Sequence, residues 1–283
     1  MPTPHTFTRT QTPAQAPAVL EALIFDWAGT LVDFGSFAPT QILVDAFAQY
    51  GLTLNLKQAR ENMGTSKWDH IHSLLAMPAL QEQFQKNHQR PSKDDDTQDI
   101  YDTFLPLQIE RVGLLSQAIK GARSTLLWAR AQGLKIGSCT GYPRAVMNVL
   151  LAHASAQGIE TDLTVCADEV SQARPWPAMA LENAIRLEVS HVAACVKIDD
   201  TVPGIQEGRA AGMWTVGLRL SGNACGLDWQ TFQQLSPDEL ATYREHAERL
   251  LLSAAPHYLI DSVADLPAVL QDIQVRLTQG ELP

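Results

Sequence analysis

No CxxC pair occurs among the four cysteines, Cys139, Cys166, Cys195 and Cys225, which are widely spaced and, for three of them, set in or beside apolar runs. That argues against a zinc site and against a disulfide framework, and it fits buried thiols in a reducing compartment. Positive charge is scarce as well. The 21 Lys and Arg face 31 Asp and Glu, a net charge of −10, which argues against nucleic acid or an anionic membrane surface as partner. A small anionic substrate would need a cation placed locally. No uninterrupted apolar run approaches a membrane span, and residues 1–18, rich in Pro, Thr, Ala and Gln, lack the apolar core of a signal peptide. The expectation is a cytoplasmic protein with a flexible N-terminal tail over 1–18. What is present, 283 residues at 45% hydrophobic and 18% charged content, suffices for a sizeable core and a second domain.

The most informative stretch is Leu23-Ile24-Phe25-Asp26-Trp27-Ala28-Gly29-Thr30. Three apolar residues run into an aspartate followed by a Gly-Thr turn, the pattern of a buried parallel strand that ends in a functional loop. Ligand crevices of open parallel sheets lie beyond the carboxyl ends of the strands, so Asp26 there can be a nucleophile or a metal ligand. A helix-capping aspartate is the plainer reading, and the rest of the chain must decide between them.

Downstream, residues 40–50, 56–63, 68–77, 78–88 and 97–115 show helical spacing of apolar residues and almost no strand signal. Residues 89–98, with Arg90-Pro91-Ser92-Lys93 and three aspartates, read as a solvated loop between helices. From 122 onward helix and strand alternate, with strands over 134–138, 163–167, 192–198, 213–218 and 257–260. Successive crossover units of this kind build a parallel sheet. The expected architecture is α/β: a doubly wound, Rossmann-like core, interrupted after its first strand by a helical cap. The expected boundaries are 19–36 and 117–283 for the core and 37–116 for the cap, with hinges in the 29–39 and 113–121 connections.

Two further strand ends, and a segment between them, converge on the same crevice. Thr140, in Cys139-Thr140-Gly141-Tyr142, offers a hydroxyl at a helix start, where a phosphate can be held. Arg174, in Gln172-Ala173-Arg174-Pro175, supplies the local cation. Asp199-Asp200 is an adjacent carboxylate pair, costly unless a cation or a proton neutralises it, and Mg²⁺ is the natural hard partner.

An aspartate, a Ser/Thr, a basic residue and an acidic pair in this order resemble the four motifs of the haloacid dehalogenase superfamily. The resemblance is closer to its phosphonoacetaldehyde hydrolases, or phosphonatases. It rests on Asp26-Trp27-Ala28-Gly29-Thr30 with Asp33-Phe34-Gly35, on Met63-Gly64 with Lys67, Asp69, His70 and Ile71, and on Thr140-Gly141-Tyr142 and Arg174-Pro175. Glu207-Gly208, Ala211-Gly212-Met213-Trp214-Thr215-Val216-Gly217 and Ser221-Gly222-Asn223 extend it to about residue 227. Leu31, Cys139 and Asn62 depart from the family pattern without removing a catalytic group.

Position 28 narrows the chemistry. Most phosphatases of the superfamily carry there a second aspartate that protonates the leaving oxygen; an alanine suits P–C cleavage, which needs an electron sink for the carbanion instead. Lys67 can form that sink as an imine, and His70, three residues on, can assist by taking the ammonium proton. Taken singly, Lys67 would read as a solvated helix lysine and His70 as structural. The resemblance implies Asp26 as nucleophile, Met63 and Tyr142 at the substrate, Thr140 and Arg174 on phosphoryl oxygens, and Mg²⁺ on Asp26, the Ala28 carbonyl and Asp200. Whether Asp199 touches the metal or only supports its ligands stays open. The resemblance also implies a homodimer through the cap. An ordinary phosphomonoesterase ranks second, since it leaves Lys67 and His70 without purpose. A non-catalytic protein on the same fold ranks third, because no motif member is lost.

Overall fold

The computed structural model describes residues 17–283, so the expected tail lies, apart from its last two residues, outside the described residues. The chain begins with strand β1 (Ala22–Phe25), then helices α1 (Phe37–Gln49), α2 (Leu56–Ala59), α3 (Lys67–Leu75), α4 (Pro78–His88) and α5 (Asp94–Leu115). Alternation follows: α6 (Ala122–Ala131), β2 (Lys135–Thr140), α7 (Arg144–Ser155), β3 (Leu163–Cys166), α8 (Ala178–Arg186), β4 (Cys195–Asp199), α9 (Val202–Ala210) and β5 (Trp214–Leu218). The last elements are α10 (Trp229–Gln233), α11 (Pro237–Leu251), β6 (Tyr258–Ile260) and α12 (Leu266–Thr278).

Among the described residues the six strands form one sheet in the order β3-β2-β1-β4-β5-β6, every neighbouring pair parallel. This is a doubly wound order whose direction of winding reverses at β1, so the crevice opens where β1 lies between β2 and β4. Both faces are covered, and β1 shows how. Its side chains alternate, Leu23 and Phe25 entering the core beside α6, α7 and α12, Ala22 and Ile24 the cluster beside α8.

Helices α1 to α5 close on an apolar cluster of their own, with Ile42, Leu43, Phe47, Ile71, Leu74, Leu80, Phe84, Ile100 and Phe104 buried together. This is the cap inserted after β1. The long α5 ties it to the core: Ile100 and Phe104 belong to the cap cluster, while Val112 packs into the core.

Local chemistry moved several boundaries. Helix α1 starts at Phe37 rather than 40, because the buried Asp33 carboxylate accepts from the Phe37 and Ala38 amides and satisfies its first turn. The helix expected over 56–63 stops at Ala59. Asn62 and Gly64 have φ of 60° and 100°, which unwinds the chain and makes 60–66 a loop over the core. The solvated loop expected at 89–98 is shorter: Asp94, Asp95 and Asp96 form the first turn of α5, where carboxylates face the positive end of the helix. Asp96 is buried and takes both guanidinium arms of Arg90 at 2.7 Å, which holds its carboxyl down at about 2. Helix α5 runs to Leu115, so Gly113 lies inside it. The short α10 carried no signal in the sequence.

Candidate active site

Register places the site. Phe25 pairs with Ser138 on one side and Ile198 on the other, so the next residue, Asp26, emerges level with the ends of β2 and β4. Thr140 closes β2; Asp199 closes β4 and Asp200 follows it. Arg174 arrives from the loop before α8. The cap's 60–66 loop and α3 roof the crevice, leaving a cleft with a cavity volume of only ≈ 20 Å³, lined by Asp26, Ala28, Met63, Lys67, Thr140, Tyr142 and Arg174, together with Ser36 and Thr201. That is room for about one water molecule. His70 and Asp200, fully buried, lie outside the lining.

Buried charge is concentrated below the cleft floor. Arg174 Nη1 meets Asp26 Oδ1 at 2.8 Å, its Nη2 meets Asp199 Oδ2 at 3.2 Å, and its Nε meets Glu207 Oε2 at 2.9 Å. Lys197, wholly buried in β4, binds Asp199 and lies 3.5 Å from Glu207. Asp26, Asp199, Asp200 and Glu207 thus face two cations, an excess of two carboxylates away from water. The excess falls on Asp26 and Asp200. Burial, then Asp199, pushes the Asp26 carboxyl up to about 6; burial, then Asp26 and Asp199, raises Asp200 well above the carboxylate range. Burial opposes the ionised Asp199 too, but Arg174 and Lys197 outweigh it and hold that carboxyl low.

Asp26, Asp199 and Asp200 each offer an oxygen within 4.8 Å of the others. They are not equivalent. Asp199 Oδ1 accepts from the Thr201 amide and hydroxyl, and its Oδ2 is taken by Lys197 and Arg174. Asp200 instead shares the Ser36 hydroxyl with the Ala28 carbonyl, at 3.1 and 2.9 Å, and accepts from the Asn223 amide at 2.7 Å. Two carboxylates in excess of the local cations and a neutral carbonyl, all hard oxygens, fit a divalent cation such as Mg²⁺ and offer zinc no nitrogen or sulfur.

On the cap side, Ser66 caps α3 by accepting from the Asp69 amide at 3.1 Å, and its hydroxyl lies 2.6 Å from the Asp69 carboxylate. Asp69 is thus a capping residue, and Lys67 begins the first turn. Lys67 is only 3% exposed. Its Nζ sits 3.7 Å from Met63 Sδ and 5.3 Å from the centre of the Tyr142 ring. Burial, opposed by Asp26 and reinforced by Arg174, brings its pKa down to about 8. His70, one turn on, has both ring nitrogens without a hydrogen-bond partner. Burial and Lys67 drive its pKa down to about 3, so the imidazole is neutral. Burial, followed by Asp33, Asp26 and Asp200, raises Tyr142 well above the usual phenol range and keeps its hydroxyl protonated. Thr140 Oγ1 accepts from the Tyr142 amide at 3.1 Å, leaving its own proton to donate. Cap and core meet closely here: Arg174 donates to the Gly64 carbonyl at 3.3 Å, and a methyl on Gly141 would strike the Thr65 carbonyl.

Sequence reasoning overlooked Ser36 and Lys197. A lysine in the middle of Val196-Lys197-Ile198, a strand buried on both faces, was a legible signal, since such a charge needs a buried partner. Ser36 carried none, as a serine before a helix reads first as a cap.

A model of the haloacid dehalogenase-like hydrolases matches residues 20–212. The chain belongs to this family. It is 53% identical to the phosphonoacetaldehyde hydrolase of Bordetella pertussis and 51% identical to that of Pseudomonas fluorescens, in each case over 95% of this chain and 98% of the relative. A solved structure of a phosphonoacetaldehyde hydrolase-like protein from Oleispira antarctica superposes with a TM-score of 0.92 at 46% identity, over 95% of this chain and 97% of the other. As a haloacid dehalogenase-like hydrolase the protein is an enzyme. Among its described residues no helix is long and apolar enough to cross a membrane.

Proposed function

We propose that this hydrolase cleaves the carbon–phosphorus bond of phosphonoacetaldehyde, giving acetaldehyde and orthophosphate. The observation that carries the reading is Lys67: a buried amine with a pKa near 8, in the same small cleft as Asp26 and Arg174, beside an alanine at position 28. The names of the relatives that are about half identical point the same way. A phosphomonoesterase would have no use for that amine and would lack a leaving-group acid.

The steps follow from the residues. Lys67, as free amine, adds to the aldehyde and loses water to give an imine; protonated, this is an electron sink. His70 rests as a neutral imidazole because burial and the Lys67 ammonium both oppose its charge; once Lys67 is a neutral amine the second of these is gone, and the ring can pass a proton from the adding nitrogen to the leaving hydroxyl. The Asp26 carboxylate attacks phosphorus, and the P–C electron pair moves into the imine to leave an enamine and an aspartyl phosphate. Arg174 and Thr140 hold phosphoryl oxygens by charge-assisted and hydroxyl hydrogen bonds, while Met63 and Tyr142 pack around the two-carbon unit. Asp26, the Ala28 carbonyl and Asp200 would hold Mg²⁺, which would supply positive charge against the phosphonate, and Asp199 would support these ligands from behind. Water then hydrolyses the acyl phosphate; the enamine is protonated on carbon to an imine, and a second water hydrolyses that imine to release acetaldehyde and restore the Lys67 amine.

For substrate to enter, residues 37–116 must lift from 19–36 and 117–283 as a cap. Four buried, unpaired thiols fit a reducing, cytoplasmic setting, and a dimer through the cap is the expected assembly. The deciding assay measures phosphate and acetaldehyde together from phosphonoacetaldehyde, with Mg²⁺ and with excess chelator. Equal release with Mg²⁺ and none with chelator is expected. Release unaffected by chelator, or absent with this substrate, overturns the reading.

A further inference from the structure

Arg60 follows α2 and opens the loop that carries Met63 and Gly64, yet its side chain reaches out of the cap to hydrogen-bond the core. Nη1 donates to the Gly35 carbonyl at 2.7 Å and lies 3.2 Å from Asn223 Oδ1; Nη2 donates to the Gly226 carbonyl at 3.0 Å. Asn223 Nδ2 answers by donating to the Arg60 carbonyl at 3.3 Å. The guanidinium also lies 5.7 Å from the centre of the Phe37 ring. Every one of these hydrogen-bond partners belongs to core segments that flank the metal-site residues. Gly35 precedes Ser36, whose hydroxyl is shared by the Ala28 carbonyl and Asp200. Asn223 donates its own backbone amide to Asp200 Oδ2. The two segments are also joined directly, Gly35 N to the Ser221 carbonyl at 2.7 Å and Ser221 Oγ to the Gly29 carbonyl at 2.8 Å.

We propose that Arg60 is a positioning residue that makes cap closure and assembly of the Mg²⁺ site one event, by gripping both segments that hold Asp200 and the Ala28 carbonyl. With the cap open, the Gly35 and Asn223 segments keep only their direct bonds through Ser221, and the oxygens are held less firmly. With it closed, Arg60 fixes both segments at once. Coupling of this kind is reciprocal: closure tightens Mg²⁺ binding, and Mg²⁺ favours closure by the same factor. The cost of a loosely held metal site is thus avoided only when Lys67 is over Asp26.

The inference rests on the Mg²⁺ site proposed above, and the experiment separates the two. Mg²⁺ affinity of the full chain is measured by calorimetry without substrate, and compaction on adding Mg²⁺ by small-angle scattering, for wild type, Arg60→Met and Asn223→Ala. Asn223→Ala removes the side-chain link to Arg60 while keeping the backbone amide on Asp200, and it carries the test alone if Arg60→Met does not fold. Wild type is expected to compact with Mg²⁺; each folded variant is expected to bind Mg²⁺ roughly tenfold more weakly and not to compact. Arg60→Lys, which keeps one of the donors, should fall between. Wild-type Mg²⁺ affinity and compaction in a folded variant overturn the role of Arg60. Absence of Mg²⁺ binding by wild type overturns the metal site itself.

Discussion

Lys67 should show its burial in a pH profile. An ordinary lysine near 10.5 would be free amine in only about 3 molecules in 10,000 at pH 7, whereas at a pKa of about 8 the fraction is roughly a tenth. Removing the amine from water therefore raises the reactive form about 300-fold, equivalent to roughly 3 kcal/mol against the ammonium. The sign is that of a depressed base. The reactive amine is lost as pH falls below about 8 and is complete above it, while the energetic cost of the buried ammonium is present at low pH and vanishes as pH rises through the ordinary lysine range. Trapping with acetaldehyde and cyanoborohydride reads this without phosphorus chemistry: the rate of adduct formation on Lys67 should rise tenfold per pH unit and level off near pH 8. Asp26→Asn supplies a second sign. Asp26 favours the ammonium, so its neutralisation should move the midpoint lower still. A midpoint near 10, or one that moves up in Asp26→Asn, would refute burial as the source of the amine's reactivity.

Lys197→Met leaves Asp199 and Glu207 short of a buried cation, and a loss of roughly 3–5 kcal/mol in denaturant melts is expected. Because Arg174 and Lys197 hold the Asp199 carboxyl below its ordinary value of 3.8, the penalty should be full at neutral pH and shrink only as pH falls below about 4 and Asp199 takes a proton; a loss that stays constant down to about pH 3 would contradict this. Gly141→Ala puts a methyl against the Thr65 carbonyl, so kcat/KM should fall roughly 100-fold with an unchanged thermal midpoint, as expected for a cap held about an ångström open. An unaltered kcat/KM would show that the cap need not close so tightly. Sedimentation at micromolar concentration should give about twice 31.0 kDa, and a monomer mass would remove the dimer.

Much of the architecture was legible because it is written in local pattern. Apolar runs ending at Asp26 and at Asp199-Asp200 announce parallel strands whose ends face a crevice, and alternation of helix and strand after residue 122 leaves few topologies for the sheet. The five helices between residues 37 and 115 announce the cap in the same way, since helical periodicity depends only on neighbours a few positions apart. Element ends were less secure: Asp33 capping α1 and Arg90 folding onto Asp96 are contacts that the local pattern of apolar residues does not register. Asp199 and Asp200 are adjacent and chemically identical, yet one is occupied by Lys197, Arg174 and Thr201 while the other has only the Thr30 and Ser36 hydroxyls, the Asn223 amide and excess charge. Lys67 reads as a solvated lysine until Met63 and Tyr142 exclude water from it. Arg60 carries no motif at all, and its partners Gly35, Asn223 and Gly226 come from segments up to 166 residues away. Proton affinity and charge pairing depend on distance in space and on exclusion of solvent, and neither can be read along a chain.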